Sequence, residues 1–354
     1  MDLIHAIFSM WDWDLPFRSR TGLKILGQGA LCACVAFFSL TGCKAKSDEI
    51  RGAASNSGTS AAEATALRDV DDAPPADTTG GFDGKRAFEH VARQVGFGAH
   101  PSGSPAITQV QDYLLSELKS YGCTTEIDAF NADTPVGRLP MKNILVKIPG
   151  DQPSVILLGT HYDTVLRNDI VFVGADDGGS STGVMLELAR LLCSQRGQTG
   201  KHAVWIAFFD GEEAMKAWSD TDSRYGSRQM AARLAASGDI TKIKAFLLAD
   251  LVGSRSLHFS RESTSTKALT DLVWNTAARL GYAEIFIHDS APVEDDHDSF
   301  LKRKVPSVDV IDLDRSRDVP FWHTADDTLD KISARSLATT GHVFLETIRE
   351  LQKQ

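Results

Sequence analysis

Two stretches decide the fold: SVILLGTHYD (residues 154–163) and AVWIAFFDGEE (residues 203–213). Each is an apolar run without polar alternation, and each ends abruptly in histidine or acid. A short run of this kind reads as a strand buried on both faces, and hence as part of a largely parallel sheet covered by helices. KAFLLAD (244–250) repeats the pattern. In such sheets ligands bind beyond the carboxyl ends of the strands. The polar residues gather there: Thr160-His161-Tyr162-Asp163, Asp210-Gly211-Glu212-Glu213 and Asp250.

Working outward, 143–148 and 307–311 read as further strands. Helical patterns cover 183–193, 225–236, 266–280 and 334–351. Phe88, Val91, Ala92 and Val95 share one helical face, as do Ile107, Val110, Leu114 and Leu118. The expected fold class is α/β: a three-layer α/β/α arrangement with a mostly parallel, mixed central sheet in a single globular domain.

Composition agrees. Of 354 residues, 42% are hydrophobic and 24% charged, the profile of a soluble globular protein. Collagen-like, coiled-coil and wholly disordered chains are excluded. Lys+Arg is 37 against 47 Asp+Glu, a net charge of −10. Phosphate contacts need clustered Lys and Arg, so no nucleic-acid partner is expected. The five cysteines are too few for a disulfide scaffold, and Cys32, Cys34 and Cys43 fall near the start. Cys123 and Cys193 have no recognisable spacing and read as buried thiols.

Arg18, Arg20 and Lys24 precede an uncharged apolar run over 25–40. At about 16 residues it is short for a membrane span and suits a signal-peptide core. The run leads into Leu40-Thr41-Gly42-Cys43, which resembles a bacterial lipobox. Residues 1–42 are therefore expected to be a lipoprotein signal peptide, with Met10 an alternative start. Cleavage would leave a lipidated Cys43 at the membrane, on the periplasmic face of a bacterial envelope. Residues 43–81 are small, polar and acidic, and cannot bury enough surface to offset their ordering entropy. They read as a disordered tether, with 82–354 as the folded domain. No internal repeat is evident, and oligomeric state is not legible.

Two further segments bring polar residues to the same edge. GADDGG (174–179) opens the helix from 183, and Trp322-His323-Thr324 follows the strand at 307–311. Singly these are ordinary: an acid after a strand is usually a turn, Asp176 and Asp177 could be N-caps, and Glu212-Glu213 a solvated first turn. Together they are histidines and carboxylates without a cysteine cluster, the ligand set of zinc. Adjacent glutamates allow one to bind metal while the other moves protons.

HYD (161–163), GADD (174–177), FFDGEEA (208–214), the strand ending in Asp250 and WHT (322–324), in that order, resemble the zinc-aminopeptidase superfamily. More narrowly they are similar to the zinc-dependent, animal-type glutaminyl-peptide cyclotransferases, over nearly all of 84–350. The narrower likeness rests on the step from Glu213 through Trp218 to Asp222-Ser223-Arg224-Tyr225-Gly226-Ser227-Arg228, on Glu294-Asp295-Asp296-His297, and on Trp322-His323-Thr324 with Asp326-Asp327. The resemblance implies one zinc per chain held by Asp177, Glu213 and His323, with Asp176 the alternative to Asp177. It implies a proton shuttle at Glu212 and nitrogen-binding aspartates at Asp250 and Asp295. Trp218 and Trp322 would line the pocket, and His161 and Asp163 would support the ligands. His297 would orient Asp295 or bond within its loop. The substrates implied are peptides or proteins with N-terminal glutamine, closed to pyroglutamate with release of ammonia. A dizinc aminopeptidase is the rival reading. Two departures stand out: Asp309 replaces a pocket histidine, and the family's half-cystines fall on Thr160 and Thr182. His90, His100, His202, His258, His288 and His342 carry no motif.

Overall fold

A computed structural model describes residues 72–194, 200–312 and 319–354. In chain order the elements are α1 (Gly84–Val95), α2 (Pro105–Ser120), β1 (Thr125–Thr134), β2 (Gly137–Ile148), β3 (Gly150–His161), α3 (Gly179–Ser194), β4 (Gly200–Phe209) and α4 (Tyr225–Ser237). They continue with β5 (Ile243–Asp250), β6 (Phe259–Glu262), α5 (Lys267–Arg279), β7 (Phe286–Ala291), α6 (His297–Leu301), β8 (Ser307–Ile311) and α7 (Ala334–Lys353). The main sheet has the order β1-β2-β4-β3-β5-β8. The β1–β2 and β2–β4 pairs are antiparallel, whereas β4–β3, β3–β5 and β5–β8 are parallel. β6 and β7 form a separate two-stranded parallel sheet.

The central strands are buried on both faces because each residue parity has its own core. Ile156, Leu158, Val204, Ile206, Phe208, Leu247 and Ala249 pack with α1, α2, α3, α5 and α7. Val155, Leu157, Trp205, Ala207, Phe209, Phe246 and Leu248 pack with Met230, Ala231 and Leu234 of α4 and Phe300 of α6. That is the three-layer arrangement expected. The second core is centred on Phe246 and Phe300, whose ring centroids are 4.5 Å apart. Gly159 makes room there, since a Cβ would meet Phe246 at 2.5 Å. Each buried ring or aliphatic side chain contributes on the order of 1.5–3 kcal/mol.

Three features depart from the sequence reading. β1 and most of β6 and β7 had no apolar run to mark them. Cys123 and Cys193, read as separate thiols, form a disulfide with a Cα–Cα distance of 5.2 Å. It ties the turn after α2 to the end of α3, across 70 residues of sequence. Finally, the packed chain begins before residue 82. Ala73 and Thr79 are buried, Ala76–Thr79 forms a 3₁₀ turn, and the guanidinium of Arg349 donates to the Gly80 carbonyl at 3.0 Å. Small residues bound through their backbone gave composition nothing to register. The signal segment, Cys43 and the rest of the tether lie outside the described residues.

Candidate metal centre and active-site cavity

β3, β4 and β5 end side by side, and the segments at those ends border a cavity of about 960 Å³. Asp177, Glu212, Glu213, Asp250, Asp295, Trp218, Trp322 and His323 all line it. His161 and Asp163, at the end of β3, lie fully buried behind them.

The loop before α3 delivers Asp177. The backbone amides of Asp176 and Asp177 donate to the Asp327 carboxylate at 2.8 and 3.1 Å, which fixes the turn. Gly178 follows with φ 76°, and a Cβ there would sit 2.9 Å from the His161 ring. Only glycine fits that approach without strain. Asp176 points away from the cavity and accepts from the Gly253 amide at 2.7 Å. Of the two aspartates it is Asp177 that meets the other ligand candidates.

The turn after β4 delivers the two glutamates. Asp163 accepts their backbone amides, Glu212 at 3.0 Å and Glu213 at 3.3 Å. Asp210 anchors the same turn and accepts from Gln111 and the Lys142 amide at 3.0 and 2.8 Å. Glu213 faces His323, whose Nε2 is 3.1 Å from Glu213 Oε1 and 3.2 Å from Asp177 Oδ2. His323 takes a left-handed φ of 54°. Strain of this kind costs on the order of 1–3 kcal/mol and persists only where the surroundings impose it. Here Trp322 stacks on the imidazole with centroids 4.0 Å apart, and Arg167 donates to the His323 carbonyl at 2.8 Å.

These residues suit a metal ion. Asp177, Glu213 and His323 each present one ligand atom, all within 4.8 Å of one another. Tetrahedral zinc with bonds near 2.0–2.1 Å would hold its ligand atoms about 3.3 Å apart, and the separations above lie close to that. Asp177 Oδ2 is buried without a hydrogen-bond donor. Several carboxylates facing two imidazoles in a buried cavity also require a compensating charge.

A second group adjoins the first. His161 Nε2 lies 3.3 Å from Asp177 Oδ1 and 3.1 Å from Asp250 Oδ1. These three are likewise close enough to share an ion, and all three are buried. The same Asp250 oxygen accepts from the Leu251 amide at 2.8 Å. Burial works against charge on His161, but Asp250, Asp163 and Asp177 outweigh it and hold the imidazole well above its usual range. Burial likewise opposes charge on His323, and Asp177 and Glu213 raise it to about 10.

Glu212 is 5% exposed and faces the cavity. Burial pushes its carboxyl well above the usual carboxylate range; His161 opposes this, while Asp295 and Glu213 add to it. Asp295 is raised in the same way by burial, Asp250 and Asp296, and its Oδ2 lacks a donor. Behind it sits Asp309, fully buried, with neither carboxylate oxygen hydrogen-bonded. His297 does not orient Asp295. Its Nε2 lies 3.1 Å from Thr264 Oγ1 and 3.3 Å from Glu262, and its Nδ1 faces Asp309 at 3.7 Å. Trp218 is 40% exposed on the cavity wall, which sets aside core packing for that ring.

Sequence reasoning passed over Asp327 as the clamp on the Asp177 turn, although the residue stood in a quoted motif. It also passed over Arg224, a fully buried guanidinium against Trp218. No pattern in a sequence marks an arginine as buried.

An α/β/α sheet with imidazoles and carboxylates converging at its parallel carboxyl edge defines the class of aminopeptidase-like metalloenzymes. The sequence profile of Peptidase family M28 matches residues 143–348, and the chain belongs to that family. It is 32% identical over 255 residues to a bovine (Bos taurus) glutaminyl-peptide cyclotransferase-like protein, covering 64% of this chain and 65% of that one. The chain thus spans a little under two thirds of that relative's length. Among solved structures it is similar to a glutaminyl cyclase from an Acidobacteriales bacterium, at 40% identity and a TM-score of 0.73, over 77% of this chain and 95% of that one. It is also similar to a Zn-dependent exopeptidase from Parabacteroides distasonis, at 27% identity and a TM-score of 0.68, over 75% and 98%.

Proposed function

We propose that the domain is a glutaminyl-peptide cyclotransferase that closes the N-terminal glutamine of peptides or proteins to pyroglutamate. One observation carries the choice within the family. The buried carboxyl of Glu212 faces a cavity walled by Trp218, Trp322 and the Glu294–Asp295 segment, which suits a folded glutamine better than an extended chain. The names of the bovine relative and the Acidobacteriales structure point the same way.

In the reaction the substrate's α-nitrogen bonds to its own γ-amide carbon, and the bond from that carbon to the amide nitrogen breaks. Ring closure is intramolecular, so the protein need not gather two reactants. Glu212 takes the proton from the amine and returns it to the departing nitrogen, which leaves as ammonia. Its raised affinity for a proton suits both halves of that exchange. Asp295 and Asp250 face the same space and would hold the nitrogen. The indoles exclude water. One zinc per chain, held by Asp177, Glu213 and His323, would polarise the γ-carbonyl when bound.

The second reading, a dizinc aminopeptidase, is favoured by the His161–Asp177–Asp250 group. Glutamine- and leucine-initiated peptides separate the two. Ammonia from the first with no leucine from the second supports the cyclase. Leucine release at a comparable rate, without ammonia, overturns it.

The location proposed is the bacterial envelope, with the chain held to a membrane through lipid on Cys43. Disulfides persist in oxidising compartments, and the Cys123–Cys193 bond favours export. Cys43→Ser should abolish both processing and lipid attachment; a mature protein of unchanged size would refute this.

A further inference from the structure

Residues 213–223 form an excursion between the glutamate turn and α4. Its neck is closed by two short backbone bonds: the Arg224 amide donates to the Glu212 carbonyl at 2.7 Å, and the Tyr225 amide to the Gly211 carbonyl at 2.6 Å. Arg224 takes a left-handed φ of 52° there, which a non-glycine residue adopts only where other contacts hold it.

The Arg224 side chain supplies those contacts. It is 2% exposed, and its Nη1 donates to Asp298 at 2.7 Å. Nη2 donates to Asp220 at 3.1 Å and lies 3.6 Å from Glu294 Oε2. The guanidinium carbon is 5.3 Å from the centre of the Trp218 ring. The same Glu294 oxygen accepts from Trp218 Nε1 at 2.9 Å. Trp218 comes from the excursion and Glu294 from the segment before α6, so this hydrogen bond joins two walls of the cavity.

Glu294 is an exposed side chain, and an isolated surface pair of this sort would contribute little. A guanidinium fixed from beneath changes that. Its charge is permanent, buried and already oriented by Asp298. It sets the position of Glu294 and supports the face of Trp218 together.

We infer that Arg224 is a positioning residue for the reaction: through Glu294 it clasps Trp218 against the Asp295 segment, and the clasp sets how tightly the pocket grips the substrate's N-terminal residue. This rests on the cyclase reading above. Breaking the clasp should loosen substrate binding more than it slows the chemistry, because Glu212 is held separately through its backbone.

The experiment uses the intact protein with glutamine dipeptide amides. Trp218→Phe removes the indole donor and keeps a ring, and Glu294→Leu removes the acceptor as well as the charge. Each should raise KM by roughly 3- to 10-fold, the scale of one partly exposed hydrogen bond, with a smaller change in kcat. The double variant should be no worse than the poorer single. Independent, multiplicative losses overturn the clasp, and so does a loss confined to kcat. Arg224→Lys, which keeps the charge, should retain more of the wild-type KM than Arg224→Met; equal values overturn the role of Arg224. Where an Arg224 variant does not fold, a second readout decides. Acrylamide quenching of the Trp218 fluorescence component, taken as the difference from Trp218→Phe, should rise in Glu294→Leu. Unchanged quenching overturns the clasp. That readout needs no turnover, so absence of ring closure by the wild type would fail the cyclase reading without deciding the clasp.

Discussion

Asp177 faces a different histidine through each of its carboxylate oxygens. Oδ1 lies 3.3 Å from His161, and Oδ2 lies 3.2 Å from His323. On the first side His161 is 1% exposed, lies between Asp177 and Asp250, and has Asp163 at its other nitrogen. On the second side the His323 side chain is 25% exposed, and Glu213 and His323 both open on the cavity. The two groups have the same chemistry and nearly the same spacing, so ligand type alone does not say where an ion works. Access does: a substrate can approach His323 itself, whereas the second group reaches the cavity only through Asp177 and Asp250, with the His161 imidazole buried behind them. A sealed imidazole among carboxylates can also satisfy itself by carrying a proton, an arrangement that needs no metal.

The strongest way to break this contrast is at His323. His323→Ala should lose the bound zinc and at least about 10³-fold of turnover, since a Lewis acid supplies several kcal/mol. A chelator should do the same to the wild type. Metal analysis of the untreated protein should give one zinc per chain. Two tightly held ions would place catalysis on both sides of Asp177 and favour the peptidase.

Next comes Glu212→Gln, which should keep the zinc and lose about 10²- to 10⁴-fold in kcat. Near-normal turnover would move the proton shuttle elsewhere, with Asp295 the next group facing the same space.

How much of this was legible follows from what each residue does. The parallel strands could be read because both of their faces are buried, which leaves a continuous apolar run. The site could be read because its acids and histidines end those runs. β1 could not, since TEIDAFNADT at the edge of the sheet is largely polar and buries only Asp128 and Ala132. The disulfide was hidden by a sequence separation of 70. The difference between the two sides of Asp177 was also hidden: His161 and His323 are equally plausible ligands as letters, and only packing shows that one of them is sealed. The fate of His297 is similar. Its place after Asp295 suggested a partner there, yet the backbone turns the ring toward Glu262 and Asp309.

A third imidazole, away from the site, is held in its neutral form. His90 is buried between Tyr113 and Tyr121, with ring nitrogens 2.6 and 3.0 Å from their hydroxyls. Burial holds it down at about 4, and Arg86 and Arg190 add to that while Glu117 opposes it. The folded value lies below the ordinary imidazole value of 6.5, so the unfolded chain binds this proton more readily. Stability from His90 is therefore complete above pH 6.5, falls as pH drops toward 4, and levels off below. The interval corresponds to about 3 kcal/mol at most. Urea unfolding of wild type and His90→Gln at pH 7.5 and pH 5 should show a smaller acid loss in the variant. Equal losses would mean that the tyrosines accommodate a charged ring.

The smallest expected effect is also the most discriminating. His161→Gln keeps an N–H donor near Asp177 Oδ1 and Asp250 Oδ1 but cannot carry a positive charge. If His161 only orients those carboxylates, the variant should still hold one zinc and lose roughly 10-fold in activity, the lower end of the scale for a group that supports a ligand. Its charge would be missed chiefly through Asp250, which would sit beside Asp177 without a cation between them. If His161 is instead a ligand, the zinc content should fall from two per chain to one, with a change in activity toward leucine peptides. Zinc per chain in this one variant, set against the wild type, thus decides whether the two sides of Asp177 differ in function or only in exposure.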